Sequence, residues 1–319
     1  MKRQALEDAK HQIIKAGKIV IAGHINPDGD SIGSLLSLGL GVEQLSKNVQ
    51  MVSSDGVPEK YRSLPGADRV IKKASVQPDL AIAVDCGNRE LLGEAFDTFR
   101  RAKCILEIDH HVFRESFGDI SVVDPEAAAV GEVVYKLLAE LGVTITREIA
   151  QNILTSIIVE TLSFRLPNVR PFTFELCGRL LEKGIDFSQL AEMVFWSKSK
   201  EAMIISGLCL SRCKFRKKGE VAWTTVRRED FDQIKAKGEH VQTVPDDMLS
   251  IKGVQVALFF KEEKKGSLRV SMRSKGKVNV ASLARNFGGG GHFDSAGCVV
   301  RDSKEAIEDV LNRAEHLLK

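Results

Sequence analysis

The sequence predicts an α/β fold: an N-terminal, mostly parallel sheet flanked by helices, followed by a smaller C-terminal α+β domain. Three observations predict it. Short apolar runs alternate with helix-length amphipathic segments through the first half of the chain. Beyond residue 212 the rhythm changes to strand-like runs that follow one another across turns. The 319 residues suffice for two domains, each with its own core. The expected division is 1–187 for the first domain, 188–212 for a helical linker and 213–319 for the second.

Residues 4–16 carry a helical apolar period, and Lys18–Ala22 is a short apolar run that suits a buried strand. Residues 31–46 read as a helix and 49–52 as a strand. Strands over 79–84 and 104–108 end at Asp85-Cys86-Gly87 and Asp109-His110-His111. Helices are expected over 126–141, 146–160 and 172–184, with Gly142 and Gly184 as C-cap signals. Residues 187–212 read as helical and bridge the two halves. Strands follow over Val221–Val226, 254–260 and 267–273, the last two joined by a charged turn over 261–266. Residues 278–287 suit a short helix before the glycine run 288–291. Asp302 or Ser303 caps a final helix with Ile307, Val310, Leu311, Ala314 and Leu318 on one face.

Composition narrows the class. Hydrophobic residues make up 43% and charged residues 28%, ordinary for a soluble globular chain. No apolar stretch approaches the roughly 18–20 residues a membrane span needs. Acidic residues interrupt the N-terminal stretch, and its apolar run over 19–22 is too short for a signal peptide, so a cytoplasmic location is expected. The six cysteines form no C-x-x-C pair and read as reduced thiols. Residues 1–200 carry 24 basic against 27 acidic side chains, and residues 201–319 carry 22 against 16. An acidic half joined to a basic half suits metal binding in one and anion gripping in the other.

In open α/β sheets ligands gather at the carboxyl ends of the strands. His24, Asp28, Asp30, Asp85, Asp109, His110 and His111 all follow expected strands. Three separated segments are therefore expected to converge on one sheet edge, offering carboxylates and imidazoles without a thiol. Such donors suit hard or borderline divalent ions such as Mn²⁺ and Mg²⁺, and two such ions in one cleft hydrolyse phosphate esters. Asp28 and Asp30 equally suit turn formers and helix caps before Ser31. A carboxylate at Asp85, after an all-apolar strand, is costly to bury unless paired or metal-bound. In the second half, Ser271 and Arg273 end a strand, and Gly289, Gly290, Gly291 and His292 form a backbone-accessible loop. Bidentate arginine and a glycine nest both suit phosphate.

Together these motifs resemble the DHH phosphoesterase superfamily, named for the triplet at 109–111, in the branch with a C-terminal DHH-associated domain. The resemblance spans nearly the whole chain, and its length and order are similar to bacterial oligoribonucleases that also dephosphorylate pAp, the 3′(2′),5′-bisphosphate nucleotidase type. It implies a metal-binding cleft between the two domains and two Mn²⁺ ions per site, with Mg²⁺ or Co²⁺ as alternatives. By resemblance, His24, Asp28 and Asp85 hold one ion; Asp30, Asp85, His110 and Glu160 hold the other, with Asp85 bridging. Asp109 orients its neighbours and His111 faces the scissile phosphate, while Ser271, Arg273, the glycine loop and His292 grip the substrate. The implied substrates are short single-stranded RNA or DNA and nucleotides, and a homodimer is compatible with the family.

One motif departs from the family pattern. Where the family has Asp-Thr-Gly-x-Phe, this chain reads Glu160-Thr161-Leu162-Ser163-Phe164, with Asn168 keeping the register. Glutamate adds a methylene at the ligand position, and Leu162 replaces a glycine. Competing readings are a pyrophosphatase or polyphosphatase of the same superfamily, against which the glycine–histidine loop weighs. Others are a single-strand DNA exonuclease, and a non-catalytic nucleotide-binding protein with a decayed metal site.

Overall fold

The computed structural model describes residues 3–112, 114–276, 278–291 and 293–318. The chain divides into two compact units, Met1–Ser197 and Lys198–Lys319. In the first, α1 (Arg3–Lys15) leads into β1 (Lys18–Ala22), α2 (Gly29–Glu43) and β2 (Asn48–Val52). Next come β3 (Leu80–Val84), the single turn α3 (Phe96–Phe99), β4 (Cys104–Asp109) and β5 (Ile120–Val123). Four helices close the unit: α4 (Val130–Glu140), α5 (Arg147–Glu160), α6 (Pro171–Leu181) and α7 (Phe187–Phe195).

The five strands form one all-parallel sheet in the order β2-β1-β3-β4-β5. Strands buried on both faces explain the near-continuous apolar runs that mark them in sequence. One face meets α2, α4 and α5 through Ile19, Ile21, Leu35, Ile82, Ile108, Ile153 and Ile157. The other packs Val20, Ala81 and Ala83 against Leu92 and Phe99. Register aligns Ala22 with Ala83 and Val84 with Ile108, so the segments after β1, β3 and β4 leave the sheet side by side.

Two features make the helical layer tight. Gly33 of α2 lies so close to α5 that a Cβ there would sit 2.5 Å from the Asn152 carbonyl oxygen and 2.9 Å from the Ser156 nitrogen. Asp28 caps α2, its Oδ1 accepting from the N–H groups of Asp30 and Ser31.

The second unit holds α8 (Lys200–Ser211), β6 (Lys214–Arg216), β7 (Val221–Val226), α9 (Arg228–Ile234) and α10 (Val244–Leu249). It continues with β8 (Val256–Lys264), β9 (Ser267–Ser274), α11 (Val280–Arg285), β10 (Gly290–Gly291), β11 (Ser295–Arg301) and α12 (Lys304–His316). Its mixed sheet runs β10-β11-β9-β8-β7-β6, with β7 and β8 parallel and the other pairs antiparallel. Alternation along β8 splits the core: Leu258 and Phe260 meet α11 and α12, while Ala257 and Phe259 meet α8 and α10. The charged turn expected over 261–266 is shorter than the sequence suggests. β8 extends through Lys264, because partners on β9 keep its polar end paired across a bulge. Ser303 rather than Asp302 caps α12, accepting from the Ala306 N–H. No helix among the described residues is long and apolar enough to cross a membrane.

Candidate metal centre

The segments leaving β1, β3 and β4, together with the end of α5, bring three overlapping groups of donors together. These are His24, Asp28 and Asp85; Asp85, His110 and His111; and Asp30, His110 and Glu160, with donor atoms within 4.8 Å of one another in each group. Asp85 is common to the first two. Its Oδ2 lies 3.4 Å from His24 Nε2, and its Oδ1 lies 3.7 Å from His111 Nδ1. His110 Nε2 stands 3.7 Å from Asp30 Oδ2 and 3.6 Å from Glu160 Oε1. Asp85 reaches this position with a left-handed φ of 58°, a conformation that aspartate tolerates better than most residues.

The imidazoles are oriented by their second nitrogens. His24 Nδ1 is 2.7 Å from the Ile25 carbonyl oxygen, and His110 Nδ1 is 3.1 Å from that of Ala127. Each ring donates through Nδ1 and leaves Nε2 to the cluster, the arrangement expected of metal-ligating histidines. The donors are oxygen and nitrogen, with no thiol, so they fit hard or borderline divalent cations. Glu160 occupies its place in the third group despite the longer side chain.

Asp30 is completely buried. Its Oδ1 accepts from the hydroxyls of Ser34 and Ser156 and its Oδ2 from the Val130 N–H. Burial pushes its pKa upward, and the nearby Asp85 charge adds to the push. For Asp28, burial acts upward, but His24 and the N–H groups of Ser31 and Asp30 prevail and hold it near about 2. Burial disfavours protonated His24, yet hydrogen bonds and charges from Asp28 and Asp85 raise its pKa well above the usual value.

Asp109 does not join the three groups. Its Oδ1 accepts from the backbone N–H groups of His110 and His111 and lies 2.6 Å from His111 Nδ1. Burial opposes ionisation of both partners, but their pairing holds Asp109 near about 2 and raises His111 to about 9. Behind them lie two residues that the sequence reading passed over. Arg114 Nε donates to Asp109 Oδ2 at 3.3 Å, and its Nη2 lies 2.5 Å from Glu107 Oε1. Glu107 is buried on β4 and also accepts from Ser116, Ser121 and the Phe117 N–H. A signal existed: Glu107 interrupts an apolar strand two residues before Asp109, hence on the same face.

Within the second unit, β11 aligns the expected substrate residues. Gly290 and Gly291 pair with Gly297 and Ala296 on one side, and Arg273 and Ser271 pair with Ser295 and Gly297 on the other. At Gly289 a Cβ would fall 2.2 Å from the Gly297 carbonyl oxygen, so the loop admits no larger residue there. Arg273 Nε lies 3.3 Å from Asp246 Oδ1, and Nη1 donates to the Met272 carbonyl. His292 lies outside the described residues.

The model of the DHH family N-terminal domain matches residues 18–157, and that of the DHHA1 domain matches residues 220–319. The chain is 31% identical to the bifunctional oligoribonuclease and PAP phosphatase NrnA of Thermus thermophilus, over 94% of this chain and 90% of that one. It is 26% identical to NrnA of Bacillus subtilis, over 94% and 95%. An exopolyphosphatase-related protein from Bacteroides fragilis has the same fold, with a TM-score of 0.92 and 24% identity, over 100% of this chain and 98% of that one.

Proposed function

The chain belongs to the DHH family, and from that premise we propose a metal-dependent phosphoesterase that hydrolyses short oligonucleotides to mononucleotides and pAp to AMP. The observation that carries this reading is Asp85. Its two carboxylate oxygens face different imidazoles and join two donor groups into one site. His24, Asp28 and Asp85 would hold one cation; Asp30, Asp85, His110 and Glu160 would hold a second, with Mn²⁺ the favoured ion and Mg²⁺ or Co²⁺ its rivals. When bound, such a pair lowers the pKa of water and neutralises charge on the phosphoryl group.

The chain's own residues account for the rest. Asp109 fixes the His111 ring through Nδ1. Burial works against the charged form of His111, yet pairing with Asp109 raises its pKa to about 9. It can balance phosphoryl charge or protonate a departing alkoxide. Within the second unit, Arg273 and the glycine loop offer cationic and backbone donors of the kind that suit an anionic group. NrnA of Thermus thermophilus is named for both activities and is similar along nearly its whole length, which supports the same substrate classes.

The test is turnover by purified protein with Mn²⁺ of four substrates: a 5′-labelled dinucleotide, pAp, pyrophosphate and bis-p-nitrophenyl phosphate. Mononucleotide product from the first two is expected. Turnover of neither nucleotide substrate would sink the proposal, and hydrolysis of pyrophosphate alone would favour the pyrophosphatase reading. Asp85→Ala should abolish hydrolysis; wild-type rates in that variant would remove its bridging role.

A further inference from the structure

Phe164 and Phe174 stack with ring centroids 5.1 Å apart and planes 28° from parallel. Phe164 is half-buried against the core of the first unit, whereas Phe174 is 56% exposed. More than half of the Phe174 surface is therefore open to solvent beside the stack. Its position is tied to the metal centre. Phe164 follows Glu160 by four residues, and Asn168, four further on, donates to the Ala128 carbonyl. The adjoining Ala127 carbonyl receives His110, and the Val130 N–H serves Asp30. Thr173, beside Phe174, donates to buried Glu132 of the same segment.

The backbone is constrained to hold this arrangement. Leu162, Ser163 and Phe164 have φ values of 46°, 60° and 63°, three consecutive non-glycine residues in the left-handed region. Hydrogen bonds from Leu162, Ser163 and Phe164 N–H groups to Val159, Ile158 and the Thr161 hydroxyl fix the hook. Strain of this kind persists where the surroundings impose it, and it concentrates at functional sites.

We infer that the Phe164–Phe174 stack is a nucleobase platform beside the metal centre, on which one base of a short oligonucleotide lies while its phosphate is attacked. This rests on the phosphoesterase reading and adds a base subsite to it. Stacking tolerates any base, so the platform selects for a base without reading sequence.

The test compares a dinucleotide with its two abasic forms, one base removed from each, on the wild type and Phe174→Ala. For the intact substrate the variant's KM should rise by about five- to hundredfold, with the loss on KM rather than kcat. The penalty should vanish for one of the abasic forms, and Phe174→Trp should restore a low KM. An unchanged KM, or an equal penalty on all three substrates, would overturn the platform. If the wild type hydrolyses no dinucleotide, the activity reading falls separately, and equilibrium binding decides the platform. A preference for intact over abasic dinucleotide that Phe174→Ala loses sustains it; equal binding of all three by the wild type refutes it.

Discussion

Residues at the candidate metal centre also position one another. Arg114 joins buried Glu107 to Asp109, and Asp109 in turn fixes His111, so the guanidinium positions a residue it does not touch. Arg114→Met should lower kcat by about 10–100-fold, the usual cost of losing such an outer partner. Arg114→Lys should recover part of it, because one cationic contact remains; identical losses in both variants would reduce Arg114 to a packing role. In the strained hook, Ser163→Gly removes a Cβ from a left-handed site and should stabilise the protein by about 0.5–1 kcal/mol, read from denaturant unfolding. His24, Asp28, Asp30, Asp85 and His110 were legible in sequence because each follows an apolar run that forms a strand, whereas Glu160, at the end of α5, was reached only through the family resemblance. The Glu107–Arg114 pair was not legible, because its meaning lies in contacts that form only when the loop after β4 folds back on the strand. The triple left-handed turn was signalled only by the resemblance, which has a glycine where Leu162 stands; no glycine of this chain marks it.

Among elements, α2 and α5 approach closely at Gly33, and Ser156 of α5 holds Asp30 of α2. Gly33→Ala would push a methyl into the α5 backbone and loosen the hydrogen bond between Ser156 and Asp30. A cost of about 1–3 kcal/mol is expected, with weaker Mn²⁺ binding by calorimetry. In the second unit, Asp230 caps α9 by accepting from the Arg227 N–H and pairs with Arg212 at 2.7 Å. Burial works against its ionisation, but Arg212 and the Arg227 N–H lower its pKa. The sign follows: stability from Asp230 is present above the unfolded carboxylate value of about 3.9 and fades as pH falls through the lower folded value. Asp230→Ala should cost about 1–2 kcal/mol at pH 7, trimmed by the partial exposure of Arg212, and the gap to wild type should close below about pH 4. Central strands of the parallel sheet were legible as unbroken apolar runs. β5, β6 and β11 were not, because pairing sustains them where their own pattern is short, charged or broken by Gly297.

At the scale of the whole molecule, all the proposed cation ligands belong to one compact unit, Met1–Ser197. Mn²⁺ should raise its melting temperature, with stabilisation of about 2.7 kcal/mol at a hundredfold excess over the dissociation constant. Asp85→Asn should erase that shift in a calorimetric scan; a shift that survives would relocate the ion. The order of those ligands along the chain also bears on synthesis. His24 is the first and Glu160 the last, at the C-terminal end of α5, and α5 also carries the Ser156 hydroxyl that secures Asp30. A ribosome making this chain therefore finishes the sheet before it delivers the final donor. A chain stopped between residues 111 and 159 would hold the imidazoles and aspartates but lack Glu160, and so could not assemble the third donor group.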